Sequence, residues 1–169
     1  MQFEVYQPIL LLGDDRLNIV LFEPEIPHNT GAIGRTCFIT GSRLHLIRPL
    51  GFSIDERSLK RSGLDYWKEL NVTVYDDLND FYAQNPGATV YYAETRTQKR
   101  YDQVAFKQND YIMFGKETTG LPQQLLEANG EYCIRIPMLP NTRSLNLSVS
   151  AGIVLYEALR QNGFVGLNS

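Results

Sequence analysis

Hydrophobic residues in this chain come in short runs, separated by polar stretches rich in Gly and Pro. The first run, Leu17-Asn18-Ile19-Val20-Leu21-Phe22, predicts a buried strand. Pro24 and Pro27 bar it from further pairing. Asn29 then offers an N-cap for a helix carrying Ile33, Cys37 and Thr40 and stopped by Gly41. Arg43 to Ile47 predicts a second strand, with Leu44 and Leu46 on one face. Residues 55–62 predict a short exposed helix ended by Gly63. Strands follow over Val72 to Tyr75, Thr89 to Ala93, Tyr111 to Phe114 and Tyr132 to Ile136. Helices intervene over Leu78 to Gln84, closed by Pro86-Gly87, and Pro122 to Ala128, closed by Asn129-Gly130. Leu145 to Gln161 is the longest helix and stops at Gly163. Strands alternating with helices predict an α/β fold, a mainly parallel sheet flanked by helices. Residues 1–16 end on the turn signal Gly13-Asp14-Asp15 and read as an N-terminal extension to a domain over 17–166.

The last helix carries two apolar stripes. One is Leu145, Val149, Ile153 and Tyr156, the other Leu147, Ala151, Val154 and Ala158. A helix apolar on two sides is buried on both, inside a monomer or between two copies. Composition adds little: 169 residues, 43% hydrophobic and 21% charged, suit one soluble domain. The apolar run Ile9 to Leu12 is too short to span a bilayer and no signal peptide is evident, which predicts cytoplasmic residence without a membrane partner. The sequons at Asn71 and Asn146 then carry no glycan. Net charge is −3, but cations cluster locally at Arg43, Arg48, Arg57, Lys60 and Arg61, and again at Arg96, Lys99 and Arg100. Phosphate binding needs such a patch rather than a basic protein.

Several chemistries lack their residues. Gly31-Ala32-Ile33-Gly34 has only the second half of the dinucleotide fingerprint. Gly115-Lys116-Glu117-Thr118 has a P-loop ending, but Asp110 stands where its first glycine belongs. There is no G-x-S-x-G elbow. His28 and His45 stand alone, and Cys37 and Cys133 sit in apolar settings without spacing partners, so no metal site is expected.

Three Gly- or Pro-rich loops lie at the carboxyl ends of predicted strands, where parallel sheets take ligands. Loop one runs from Glu25 to Thr36 and opens a helix; Arg35 near that opening adds repulsion to the helix dipole, as an anion-facing or substrate-facing arginine would. Loop two is Phe114-Gly115-Lys116-Glu117-Thr118-Thr119-Gly120-Leu121-Pro122, whose glycines permit close backbone approach to a ligand. Loop three runs from Ile136 to Ser148. Its prolines hold the backbone extended, and Ser144 and Asn146 offer polar groups where the last helix begins.

In this order and at these spacings, the loops resemble the three signature motifs of the SPOUT superfamily of RNA methyltransferases. The closest likeness is to the small TrmL/YibK-like tRNA 2′-O-methyltransferases. The most similar tracts are Asn18 to Arg35, Leu44 to Tyr66, Asp110 to Pro122 and Ile134 to Gln161. The resemblance implies a C-terminal trefoil knot formed from about Ala93 onward, and a homodimer with its active site at the interface. It implies S-adenosylmethionine as cofactor, S-adenosylhomocysteine as product, and no metal. Cofactor contacts carry over to Ala93, Gly115, Ile136, Met138, Ser144 and Leu145. Arg35 becomes the catalytic residue, in cis or across the dimer, with Asn29, Glu117 and Asn146 holding the site together. The implied substrate is the wobble nucleotide (position 34, cytidine or uridine) in the tRNA anticodon stem-loop. Arg43, Arg57, Lys60, Arg61 and Arg143 are then candidates for phosphate contacts. Two alternatives stand beside this reading: a 2′-O-methyltransferase acting on ribosomal RNA, and a non-catalytic RNA-binding protein of the same fold.

Overall fold

β1 (Asn18–Phe22) is buried along its whole length, because it lies inside a sheet covered on both faces. The computed structural model describes residues 15–53 and 65–167. After β1 come α1 (Pro27–Thr40), β2 (Arg43–Ile47), β3 (Val72–Tyr75), α2 (Leu78–Gln84), β4 (Val90–Ala93), β5 (Tyr111–Phe114), α3 (Gln123–Ala128), β6 (Cys133–Ile134) and α4 (Leu147–Gln161). The strands form one sheet in the order β3-β2-β1-β5-β4-β6, and every pairing is parallel.

Alternate side chains divide the core. Ile19, Leu21, Leu44, Leu46, Ile112 and Phe114 pack with Ile33 and Cys37 of α1 and Val154 and Leu155 of α4. Val20, Phe22, Ile47 and Met113 face the other way and pack with Phe81 of α2 and Leu125 of α3. The chain leaves β1 outward through β2 to β3, then crosses to β4 and returns to β5 beside β1. Connections thus diverge between β1 and β5, and a crevice opens beyond their carboxyl ends.

Local chemistry moves several predicted boundaries. α1 starts at Pro27, not after Asn29: the proline ring is preset for the first helical position, and Asn29 N–H and Thr30 N–H already bond to the Ile26 carbonyl at 3.1 and 3.3 Å. Asn29 is therefore buried in the first turn and does not cap its own helix. Gly41 does end α1, in the left-handed conformation (φ 68°). α4 starts at Leu147, with the Asn146 side chain accepting from Ser148 N–H at 2.8 Å. Pro122 precedes α3 rather than opening it. β6 stops at Ile134, and Arg135 forms only an isolated bridge to Arg100. The helix expected over 55–62 and nearly all of the N-terminal extension lie outside the described residues.

A buried polar network ties the sheet together on the α2 face. His45 Nε2 lies 3.0 Å from Asn18 Oδ1, and its Nδ1 lies 2.8 Å from the Tyr75 hydroxyl. The Asn18 amide nitrogen donates to main-chain carbonyls, including that of Arg16 at 2.9 Å, so its oxygen can only accept. Nε2 therefore carries the proton, and Nδ1 accepts from Tyr75. Burial, reinforced by the Arg43 charge, pushes the His45 pKa down from 6.5 to about 4. An unfolded chain binds this proton near pH 6.5 and the folded chain only near 4. His45's contribution is thus complete above pH 6.5 and is lost as pH falls through that window. The expected loss is about 3 kcal/mol, partly offset by Asp110, whose carboxyl burial holds above its usual range. Urea unfolding across this pH range should show the decline, and His45→Gln should flatten it; an equally steep acid limb in the variant would assign the decline elsewhere.

Candidate active site

The crevice beyond β1, β5, β4 and β6 has a volume of about 1020 Å³. Ala93, Gly115, Ile136, Met138, Ser144 and Leu145 all line it. So do Asn29, Glu117 and Asn146. The residues come from loops far apart in sequence and meet because parallel strands deliver all their carboxyl ends to one edge.

Loops one and two are clasped through three consecutive residues. The Glu117 carboxylate accepts from Glu25 N–H at 2.9 Å, Ile26 N–H at 3.2 Å and the Asn29 amide at 2.9 Å. Ile26, the N-cap of α1, provides no side-chain cap, so a carboxylate from loop two serves the positive end of that helix instead. In return, Glu25 accepts from Thr118 N–H at 3.0 Å and from the Thr118 hydroxyl at 2.8 Å. Lys116 pairs with Glu23 at 2.6 Å, which holds the Lys116 pKa above its usual range. Glu23 itself has φ 47°, an uncommon conformation for a side-chain-bearing residue, and lines the crevice. Loop three joins through Asn146, which donates to Asn29 Oδ1 at 3.0 Å while capping α4. A continuous chain of hydrogen bonds, Glu117–Asn29–Asn146, therefore fixes the N-terminal ends of α1 and α4 to loop two. Glu23, Glu25, Lys116 and Thr118 were not singled out from sequence. The signal available was the pair of carboxylates two residues apart, Glu23 just before loop one and Glu25 at its start, with a Lys-Glu-Thr run on loop two.

Loop two doubles back tightly on itself. Gly120 N–H bonds to the Lys116 carbonyl at 2.9 Å, with Gly120 at φ 72°. A Cβ on Gly115 would lie 2.1 Å from the Gly120 carbonyl carbon. Glycine is required there by backbone approach within the loop.

Arg35 stands apart from the crevice of its own chain and is exposed on α1. Because α1 begins at Pro27, Arg35 lies roughly two turns into the helix. The expected repulsion from the helix dipole is therefore corrected: that field fades within the first turn. Ile39, one turn further on, is 58% exposed. Arg143 is exposed beside Ser144 at the crevice. Arg43 opens β2 and so lies at the opposite edge of the sheet from the crevice. Arg57, Lys60 and Arg61 fall outside the described residues. Among the described residues no group of three or more His, Cys, Asp or Glu is placed to hold a metal, and no helix is long and apolar enough to cross a membrane. Burial pushes the Cys37 thiol up to about 12, so it is inert near neutral pH.

Fold and crevice together define an α/β protein that takes a small-molecule ligand at the switch point of its sheet. More particularly, the chain belongs to the SpoU rRNA Methylase family, whose profile matches residues 16–156. The tRNA (cytidine(34)-2′-O)-methyltransferase of Escherichia coli strain K12 is 48% identical to it, over 89% of this chain and 96% of the relative. A crystal structure of a Bacillus anthracis protein superposes with TM-score 0.87 at 46% identity, covering 90% of this chain and 98% of its own. A second structure, described as giving insights into the 2-OH methylation of C/U34 on tRNA, superposes with TM-score 0.82 at 41% identity, covering 89% and 99%. The family likeness carried by the three loops thus extends over nearly the whole described chain.

Proposed function

We propose that the protein transfers a methyl group from S-adenosylmethionine to the ribose 2′-hydroxyl of the wobble nucleotide, cytidine or uridine at position 34, of tRNA in the cytoplasm. The observation that carries this reading is the gathering of the six cofactor positions with Asn29, Glu117 and Asn146 around one crevice. The lining suits the cofactor. Leu121, Ile136, Met138, Leu145 and Val154 give apolar surface for a purine, and Glu94 places a carboxylate at the crevice. Main-chain groups at Gly115, Ile136, Met138, Ser144 and Leu145 would hold it.

When bound, S-adenosylmethionine supplies a methyl group already activated by its sulfonium. The chain must align the ribose hydroxyl and offset the charge that develops on its oxygen. Arg35 performs this task. It acts by alignment and charge rather than as a proton acceptor, through the planar fork of its guanidinium. Asn29, Glu117 and Asn146 keep the three loops in register. Arg35 serves the crevice of a second copy, since it shares an exposed face of α1 with Ile39 and does not line its own crevice. The homodimer is supported by α4, where Ala151, Val154 and Ala158 are buried but Val149 and Tyr156 are 49% and 45% exposed. The loop from β6 to α4 belongs to a trefoil knot, an exception to ordinary chain topology.

Incubation with labelled S-adenosylmethionine and total RNA, followed by mapping of 2′-O-methyl groups, tests the proposal. Label is expected at the wobble ribose of tRNA. Label only in ribosomal RNA would favour the ribosomal enzyme, and no label in any RNA a non-catalytic RNA-binding protein. Light scattering at micromolar concentration should show a dimer; a monomer would remove the shared site.

A further inference from the structure

We propose that Arg96 and Arg135 form a phosphate-binding edge of the crevice that holds the RNA backbone beside the target nucleotide. The proposal rests on the tRNA reading above. Both arginines line the crevice. Residues 94–101 run alongside β6 and its continuation: Glu94 N–H bonds to the Ile134 carbonyl, Arg135 N–H to the Lys99 carbonyl and Tyr101 N–H to the Arg135 carbonyl, each at 2.9 Å. Arg100 and Arg135 are direct bridge partners. This pairing gathers Arg96, Lys99, Arg100 and Arg135 along one edge.

Side-by-side like charges repel, and the chain's net charge of −3 makes their concentration here a local feature. The acids of the segment are already engaged. Asp102 holds Arg100 through two bonds of 2.9 and 2.7 Å. Glu94 accepts from the Thr95 hydroxyl at 3.1 Å and from the main-chain N–H of Arg96 at 3.0 Å. Among the described residues, no carboxylate pairs with the guanidinium of Arg96 or of Arg135. Arg135 is half-buried, and a charge withdrawn from water without a partner is costly. An anion completes such a site, and the planar guanidinium matches two phosphate oxygens at once. Ala93, a cofactor position, directly precedes this segment. A backbone lying on the edge therefore leads a ribose into the crevice. Arg43 opens β2 and so lies away from this edge of its own chain.

Binding of bulk tRNA and of S-adenosylhomocysteine should be measured side by side for the wild type, Arg96→Gln, Arg135→Gln and the double variant. Each single change is expected to weaken tRNA binding about tenfold at low salt. Each should also lower the salt dependence by about one phosphate contact. S-adenosylhomocysteine affinity should be unchanged, which also shows that the variants are folded. Arg→Lys at either position should restore most tRNA affinity, because a lysine still meets phosphate as a point charge. Undiminished tRNA binding in the double variant would overturn the phosphate edge alone. So would lost S-adenosylhomocysteine affinity with tRNA binding intact, since the arginines would then serve the cofactor carboxylate. A wild type that binds no tRNA would overturn both this edge and the proposed function.

Discussion

Arg35→Ala is expected to lower methyl transfer to tRNA by about 10²–10³-fold while S-adenosylhomocysteine binds as it does to the wild type. The separation follows from position. Arg35 does not line its own crevice and touches none of the clasp that orders loops one, two and three, so its loss leaves the cofactor site intact. It is exposed, and its truncation creates no cavity, so stability should hold. On the proposed mechanism, what disappears is a fixed charge that aligns with the ribose oxygen in the transition state. Arg35→Lys should recover only part of the rate, because an ammonium lacks the planar fork that fixes direction. Mixed dimers decide between cis and trans action. When Arg35→Ala is combined with a variant whose crevice is destroyed, one intact pair of crevice and arginine forms only if Arg35 reaches across the interface. Regained activity is expected; wild-type turnover by Arg35→Ala alone would remove the catalytic assignment.

Much of this arrangement was legible because its signals are local. The run from Asn18 to Phe22 is apolar enough to be a central strand, and it is buried throughout. The glycines and prolines of loops two and three mark chain reversals at strand ends, and the six residues expected to contact the cofactor line one crevice. The failures arose where a residue's partner lies far away in sequence. Asn29 looked like an N-cap because only its own helix was in view; its partners are Glu117 and Asn146. Glu25 and Thr118 are 93 residues apart and joined only by the fold. β6 was expected to run to Ile136, but beyond Ile134 the main chain pairs with residues 99–101 instead. Arg43 is a different case: it opens β2, and in a parallel sheet the first residue of a strand lies away from the carboxyl-end crevice of its own chain, which strand direction alone makes legible.

Gly115→Ala is expected to abolish cofactor binding without removing any functional group. The added Cβ would lie 2.1 Å from the Gly120 carbonyl carbon, 2.3 Å from Leu121 N and 2.6 Å from Gly120 Cα. All three are main-chain atoms, so no side-chain rotation relieves the overlap, and loop two must open. Opening breaks the bond from Gly120 N–H to the Lys116 carbonyl and shifts Glu117, whose carboxylate holds the start of α1. The disturbance then passes through Asn29 to Asn146 and the start of α4. Overpacking of this kind costs about 1–3 kcal/mol of stability, which lowers the melting temperature but leaves a folded sheet. Loop two would supply main-chain contacts to the cofactor, and opening it removes them, so calorimetric titration with S-adenosylhomocysteine should show little or no binding. The distinguishing feature is the order of the two losses: affinity collapses while far-ultraviolet circular dichroism stays near wild type. Wild-type affinity in Gly115→Ala would mean that loop two opens without consequence, and that the crevice does not depend on the close approach of Gly115 to Gly120.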